Sequence, residues 1–170
     1  MKINVAAQLK QPGKAGEYRE SVPYGPVEYL GRTVTFKSPM DIEARYSYDG
    51  EGFTVKGRAS TVLLSECARC AKAFDEPFSF EFDERFEKAP DDGSDNYPFM
   101  GEELDLSQMV LDDLLLELPV YSQCSPDCKG LCPVCGCDLN TAQCSCAAVN
   151  EDEKNPFSAL KALLDNDKEV

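Results

Sequence analysis

The sequence predicts an α+β protein: an antiparallel β-sheet forming a partial barrel, one helix packed on it, and a small cysteine-rich C-terminal module. Three observations predict this. From Val27 to Phe86, apolar and polar side chains alternate between turn-forming clusters, the period of half-buried strands. From Asp105 to Leu118, apolar side chains recur at helical spacing. Seven of the nine cysteines fall between Cys124 and Cys146, where large apolar residues are too few to build a core. The 170 residues suit one domain with a small appendage. They divide into a sheet-and-helix domain over 1–121, a cysteine-rich module over 122–150, and a short helix and tail over 151–170.

Residues 10–26 hold three prolines, three glycines and scattered charges, which read as an irregular connection. Val34–Phe36 and Met40–Tyr48 read as strands, Asp49-Gly50-Glu51-Gly52 supplies turn chemistry, and Phe53–Leu64 reads as a long return strand. Phe74, Phe78, Phe80, Phe82 and Phe86 share one face of a further strand, as the period of two requires. Residues 88–104 read as an acidic loop containing Pro90, Gly93 and Pro98. A helix follows over about 105–118, with Asp105 or Ser107 as N-cap and Pro119 as terminator. Met109, Val110, Leu114, Leu115 and Leu118 form its packing stripe. A second short helix is expected over about 156–165, with Asn155 as N-cap and Pro156 at its first position.

The chain contains no histidine, which excludes Ser-His-Asp and Cys-His catalysis and any histidine metal ligand. The opening residues carry no apolar run longer than Val5-Ala6-Ala7, and no stretch reaches the length of a membrane span. A cytoplasmic protein without membrane association is therefore expected. There thiols stay reduced, and a cysteine framework usually signifies metal.

Cys132-Pro-Val-Cys135-Gly136 carries the strongest metal signal. Two thiolates separated by two residues grip one tetrahedral zinc, and the proline and glycine suit the tight turn that aims N–H groups at sulfur. Cys144 and Cys146 come within reach once Asp138–Thr141 turns. Cys67-Ala-Arg-Cys70 is a second pair of the same spacing, and Cys124 and Cys128 follow the helix expected to pack on the same sheet. Two zinc ions are thus expected, one held by Cys67, Cys70, Cys124 and Cys128, the other by Cys132, Cys135, Cys144 and Cys146. Cys137 is left over, and its exchange with Cys135 or Cys144 stays open. An iron–sulfur cluster takes the same four thiolates, but a CPxCG knuckle favours zinc. Four sulfurs leave no open position for water, so the zinc is structural rather than catalytic. A redox dithiol at Cys67 and Cys70 would lack a helix start to lower its thiol pKa.

The formal charge is −14, and it is unevenly spread. Asp75 to Glu117 contains fifteen acids against only Arg85 and Lys88. Such a surface is either a solvated face or one matched to a basic partner, and it disfavours nonspecific binding to nucleic acid or anionic membrane.

In order along the chain, Glu66-Cys-Ala-Arg-Cys70 with Phe74, the acidic region, the leucine helix ending Glu-Leu-Pro119, Cys128-Lys-Gly-Leu-Cys-Pro-Val-Cys-Gly136 with Leu139-Asn140, and Asn155-Pro-Phe-Ser-Ala-Leu160 resemble the YceD family. These are bacterial and plastid proteins called large ribosomal RNA subunit accumulation proteins. The resemblance covers roughly residues 55–165. It implies a role in large-subunit biogenesis and supplies no catalytic residues. By analogy it also supports placing Cys67 and Cys70 with Cys124 and Cys128. Cys137 departs from the family pattern.

Eight thiolates and two zinc ions would take the formal charge from −14 to about −18. A basic ribosomal protein, or a pre-ribosomal large-subunit particle carrying one, is then a more natural partner than bare RNA. Direct RNA contact, which the overall charge does not favour, would run through Arg32, Arg45, Arg58 or Arg69 in the charge-balanced N-terminal half. The competing functions are a thiol-redox or metal-dependent RNA-processing enzyme and a zinc reservoir or sensor.

Overall fold

The computed structural model describes residues 1–91 and 93–146. The helix expected over 156–165 lies outside them. The described chain divides into two compact units, one of Met1–Ala68 with Lys72–Pro126, the other of Arg69–Ala71 with residues 127–146.

In the first unit, β1 (Lys2–Asn4) leads into a short helix, α1 (Ala6–Lys10). Then come β2 (Ala15–Val22), β3 (Val27–Tyr29), β4 (Arg32–Phe36), β5 (Met40–Tyr48), β6 (Gly52–Glu66) and β7 (Ala73–Glu87). Two short strands, β8 (Tyr97–Pro98) and β9 (Glu103–Asp105), precede α2 (Ser107–Glu117). The strands do not close into a barrel. Antiparallel pairing dominates, but β8 runs parallel to the end of β7 over two residues, Phe86 with Tyr97 and Glu87 with Pro98.

β6 is the axis of the sheet. One edge pairs with β7 along its whole length, Gly52 opposite Glu87 through Glu66 opposite Ala73. The other edge takes β5 over Phe53–Ser60 and β4 at Leu63 and Leu64. β4 and β5 are thus one strand broken at Ser38-Pro39. Pro39 has no N–H for a ladder, and Ser38 compensates with its side chain. Its Oγ accepts from the Val62 N–H at 3.0 Å, while its carbonyl accepts from Thr61 Oγ1 at 3.0 Å.

Two segments expected to be irregular are ordered. β2 forms within residues 10–26 by pairing with β5 from Ala15 opposite Ser47 to Val22 opposite Met40. Its charged, proline-flanked sequence shows little strand periodicity because it rides on a neighbour whose pattern is strong. The acidic stretch 88–104 supplies β8 and part of β9, which pairs with β1. Pairings of two and three residues leave too little sequence to show a period.

The phenylalanine face packs as expected: Phe80, Phe82 and Phe86 are buried, and Phe78 is partly so. Met40, Ile42, Phe53, Val55, Leu104, Leu106, Met109, Val110 and Leu114 complete the densest core. Phe53 and Phe99 meet edge to face at 5.2 Å between centroids. Of the predicted helical stripe, Leu115 is only partly buried, packed against the core. The N-cap position of α2 is Leu106, without a side-chain cap bond. Asp105 instead accepts from the Ser107 N–H at 3.0 Å, and burial of Leu106 decides the boundary.

The β5–β6 turn is held by Asp49, whose Oδ1 accepts from the N–H groups of Glu51 (2.9 Å) and Gly52 (2.8 Å). Arg85 reaches across from β7 to its Oδ2 at 2.8 Å. These bonds hold the Asp49 carboxyl well below the usual range, the Arg85 hydrogen bond being the largest cause.

Gly57 sits between Ala44 on β5 and Phe82 on β7. A Cβ there would lie 2.1 Å from the Glu43 carbonyl oxygen and 2.7 Å from the Phe82 ring. Gly57→Ala should therefore destabilise the sheet by about 2 kcal/mol in urea denaturation, through forced displacement of backbone. Asp113 on α2 gives a second expectation. Burial, then the charges of Glu84, Asp112 and Glu117, raises its pKa from 3.8 to about 6. The folded state therefore holds this proton more tightly than the unfolded chain. The resulting stability is complete below about pH 4 and lost as pH rises through about 6. Relative to wild type, Asp113→Asn should gain on the order of 1 kcal/mol at pH 7 and little at pH 4, the partly solvated neighbours screening the rest.

Candidate metal centres

The two CxxC segments adopt one backbone design. In the first, the Cys67 N–H donates to the Lys72 carbonyl at 2.9 Å; in the second, the Cys132 N–H donates to the Cys137 carbonyl at 2.8 Å. Donor and acceptor are five residues apart in both. The residue after the second cysteine is left-handed in both: Ala71 with φ 56° and Gly136 with φ 72°. Glycine accepts that conformation freely, and alanine does so against its Cβ. The first knuckle is the connection of the β6–β7 hairpin, since β6 ends at Glu66 and β7 begins at Ala73. The Cys67 region also meets the chain that follows α2: the Ala68 N–H donates to the Ser122 carbonyl at 2.9 Å.

All eight cysteines expected as ligands fall into two groups of four. Cys67, Cys70, Cys124 and Cys128 form one, and Cys132, Cys135, Cys144 and Cys146 the other, with the sulfurs of each group within 4.8 Å of one another. A tetrahedral zinc with bonds of about 2.3 Å places its sulfurs about 3.8 Å apart, so each donor set fits such an ion. Cys67, Cys70, Cys128 and Cys132 are buried, whereas Cys135 is exposed.

Donors are already aimed at sulfur. The N–H groups of Cys135 and Val134 point at Cys132 and pull its thiol pKa down to about 6. Hydrogen bonding to Cys135, followed by burial, pushes Cys146 up to about 12. Cys137 lies against the same group. Burial, then hydrogen bonds with Cys135 and Cys144, pushes it to about 12 as well.

Asn140 is the site residue that sequence patterning misses. It donates from Nδ2 to Cys128 Sγ at 3.4 Å and accepts from the Lys129 N–H at 2.7 Å. Asp138 Oδ1 fixes its orientation by accepting from both Asn140 nitrogens, at 2.9 and 2.7 Å. A single asparagine in a loop carries no periodicity that would mark a sulfur donor; only the fold brings it to Cys128.

Comparison with known proteins places these features in context. The sequence model of the family described as large ribosomal RNA subunit accumulation protein YceD matches residues 55–164. An uncharacterized protein of Mycobacterium tuberculosis is 29% identical over 148 residues, covering 82% of this chain and 70% of its own length. A chloroplastic YCED homolog 1 of Zea mays, named a large ribosomal RNA subunit accumulation protein, is 35% identical over 66 residues, 38% of this chain and 22% of its own. Its Arabidopsis thaliana counterpart is 33% identical over 58 residues, 34% of this chain and 18% of its own. No solved structure matches.

The shared knuckle geometry yields a paired expectation. Ala71→Gly should stabilise the protein by about 0.5–1 kcal/mol by relieving the left-handed strain, and Gly136→Ala should cost a similar amount. Urea denaturation of the two variants measures both, and a loss of stability in Ala71→Gly would contradict the strain argument.

Proposed function

The chain belongs to the YceD family of large ribosomal RNA subunit accumulation proteins, and from that membership we propose a zinc-stabilised, non-catalytic factor in large ribosomal subunit biogenesis. It acts in the cytoplasm by binding a basic ribosomal protein or the assembly intermediate that carries one. The observation that carries the reading is the family match, which spans the β6–β7 hairpin from Val55 onward, α2 and all nine cysteines. Among the described residues, no helix is long and apolar enough to cross a membrane.

Zinc is supported by two all-thiol donor sets and by the knuckle they share. Cys67, Cys70, Cys124 and Cys128 would hold one ion; Cys132, Cys135, Cys144 and Cys146 would hold the other. Each ion would cross-link chain that lacks a large apolar core, so binding would be coupled to folding. A redox dithiol is disfavoured because Cys67 and Cys70 are both buried, out of reach of a substrate disulfide. A basic protein partner is supported by the acids of β7 and α2, which outnumber the bases there. Attraction to such a partner speeds encounter and sets its register.

Two measurements test this. Native mass spectrometry should find two zinc ions in the wild-type protein and in Cys137→Ser, but one in Cys132→Ser. A metal-free or disulfide-bonded wild type would refute the zinc assignment. Affinity purification from lysate should retain large-subunit ribosomal proteins after nuclease digestion. Their complete loss would show that contact runs through RNA instead.

A further inference from the structure

Among the described residues, Asp113 is the one buried charged side chain, about nine-tenths removed from solvent. Its Oδ2 has no hydrogen-bond partner. The charges that bear on it are all negative: Glu84 from β7, and Asp112 and Glu117 from α2. Asp112 accepts from the Tyr97 hydroxyl at 3.2 Å and from Gln108 Nε2 at 2.7 Å, both uncharged donors. The nearest basic residue in sequence on β7, Arg85, is committed to Asp49 and Glu87, each at 2.8 Å. The last turn of α2 contains no basic residue, so these carboxylates crowd toward the negative end of the helix dipole. A buried carboxylate without a donor, among like charges, costs the free protein stability. A cation placed among these carboxylates would offset the repulsion they share.

We propose that Asp113, with Glu84, Asp112 and Glu117, receives an arginine side chain from a basic partner segment. Among the described residues, only the two cysteine groups bring three or more ligand atoms within 4.8 Å of one another. The carboxylates are therefore too dispersed to form the inner shell of a metal ion. A guanidinium, planar and broad with five donors in a fixed fork, suits dispersed acceptors better than a metal or a compact ammonium. The identity of the partner rests on the ribosomal-protein reading above; the chemistry of the carboxylates does not.

The test titrates the full-length, zinc-loaded protein with a labelled oligoarginine peptide at fixed ionic strength, with oligolysine and magnesium chloride in parallel. Asp113→Asn should raise the melting temperature of the free protein yet weaken oligoarginine binding about tenfold. Glu51→Gln, which removes the same charge from the β5–β6 turn, should leave binding within about twofold. Equal weakening in both variants would reduce the effect to net charge and overturn the site. So would tighter binding of oligolysine, or stabilisation by magnesium that Asp113→Asn abolishes. The nuclease-treated purification separates the two readings. If it retains ribosomal proteins equally with wild type and Asp113→Asn, the arginine site falls and the partner reading stands. If it retains none while the peptide titration separates the variants, the site stands and the partner reading falls.

Discussion

The fifteen-residue antiparallel pairing of β6 with β7 is the constraint on which the rest of the molecule depends. Alternation along both strands commits Phe53, Val55, Phe80, Phe82 and Phe86 to the buried side, and a slip of one residue would turn them all to solvent. Fixing that register also fixes the hairpin connection. Cys67 and Cys70 therefore lie in the connection that directly joins the two longest strands of the sheet. The close approach at Gly57, where β5 and β7 leave no room for a side chain, belongs to the same constraint.

Much of this was legible in the residues, for reasons that differ by element. β5, β6 and β7 announce themselves because each is long enough to show several periods and is bounded by turn chemistry. α2 does so through its leucines and Pro119. β2 does not: with Glu17, Arg19 and Glu20 in eight residues, it is a strand by partnership with β5 rather than by its own pattern. The cysteine groups came from the two CxxC spacings, the position of Cys124 and Cys128 after the helix, and the family resemblance, and the expected fours are the fours whose sulfurs converge. The contact of Asn140 with the Cys128 sulfur, the left-handed Ala71 and the stranded oxygen of Asp113 were not readable. Each is a relation between distant backbone or charge positions that no local window contains.

Among the described residues, two places carry electrostatics that the protein itself leaves unbalanced. One is the thiol quartet around Cys132, where aimed N–H groups pull that thiol's pKa down while hydrogen bonding to Cys135 and burial push Cys146 up. The other is the acidic side of α2, where Asp113 is buried without a donor. A sequence selected only for stability would have removed both, by an apolar pair in the first case and an asparagine in the second. Positive charge would offset both, which is the common ground of the zinc and arginine proposals.

The outer edge of β7 has a different consequence. β8 covers it only at Phe86 and Glu87, so among the described strands Ala73–Arg85 has no neighbour on that side. An exposed strand of that length is a template on which a second copy could add. Pro77 withholds a donor midway along it, and Asp75, Glu81 and Asp83 set like charges facing any copy laid alongside. Resistance to edge-to-edge aggregation is thus written into the same acidic strand that bears the phenylalanine core, and neutralising those carboxylates would expose the chain to fibrillar self-assembly.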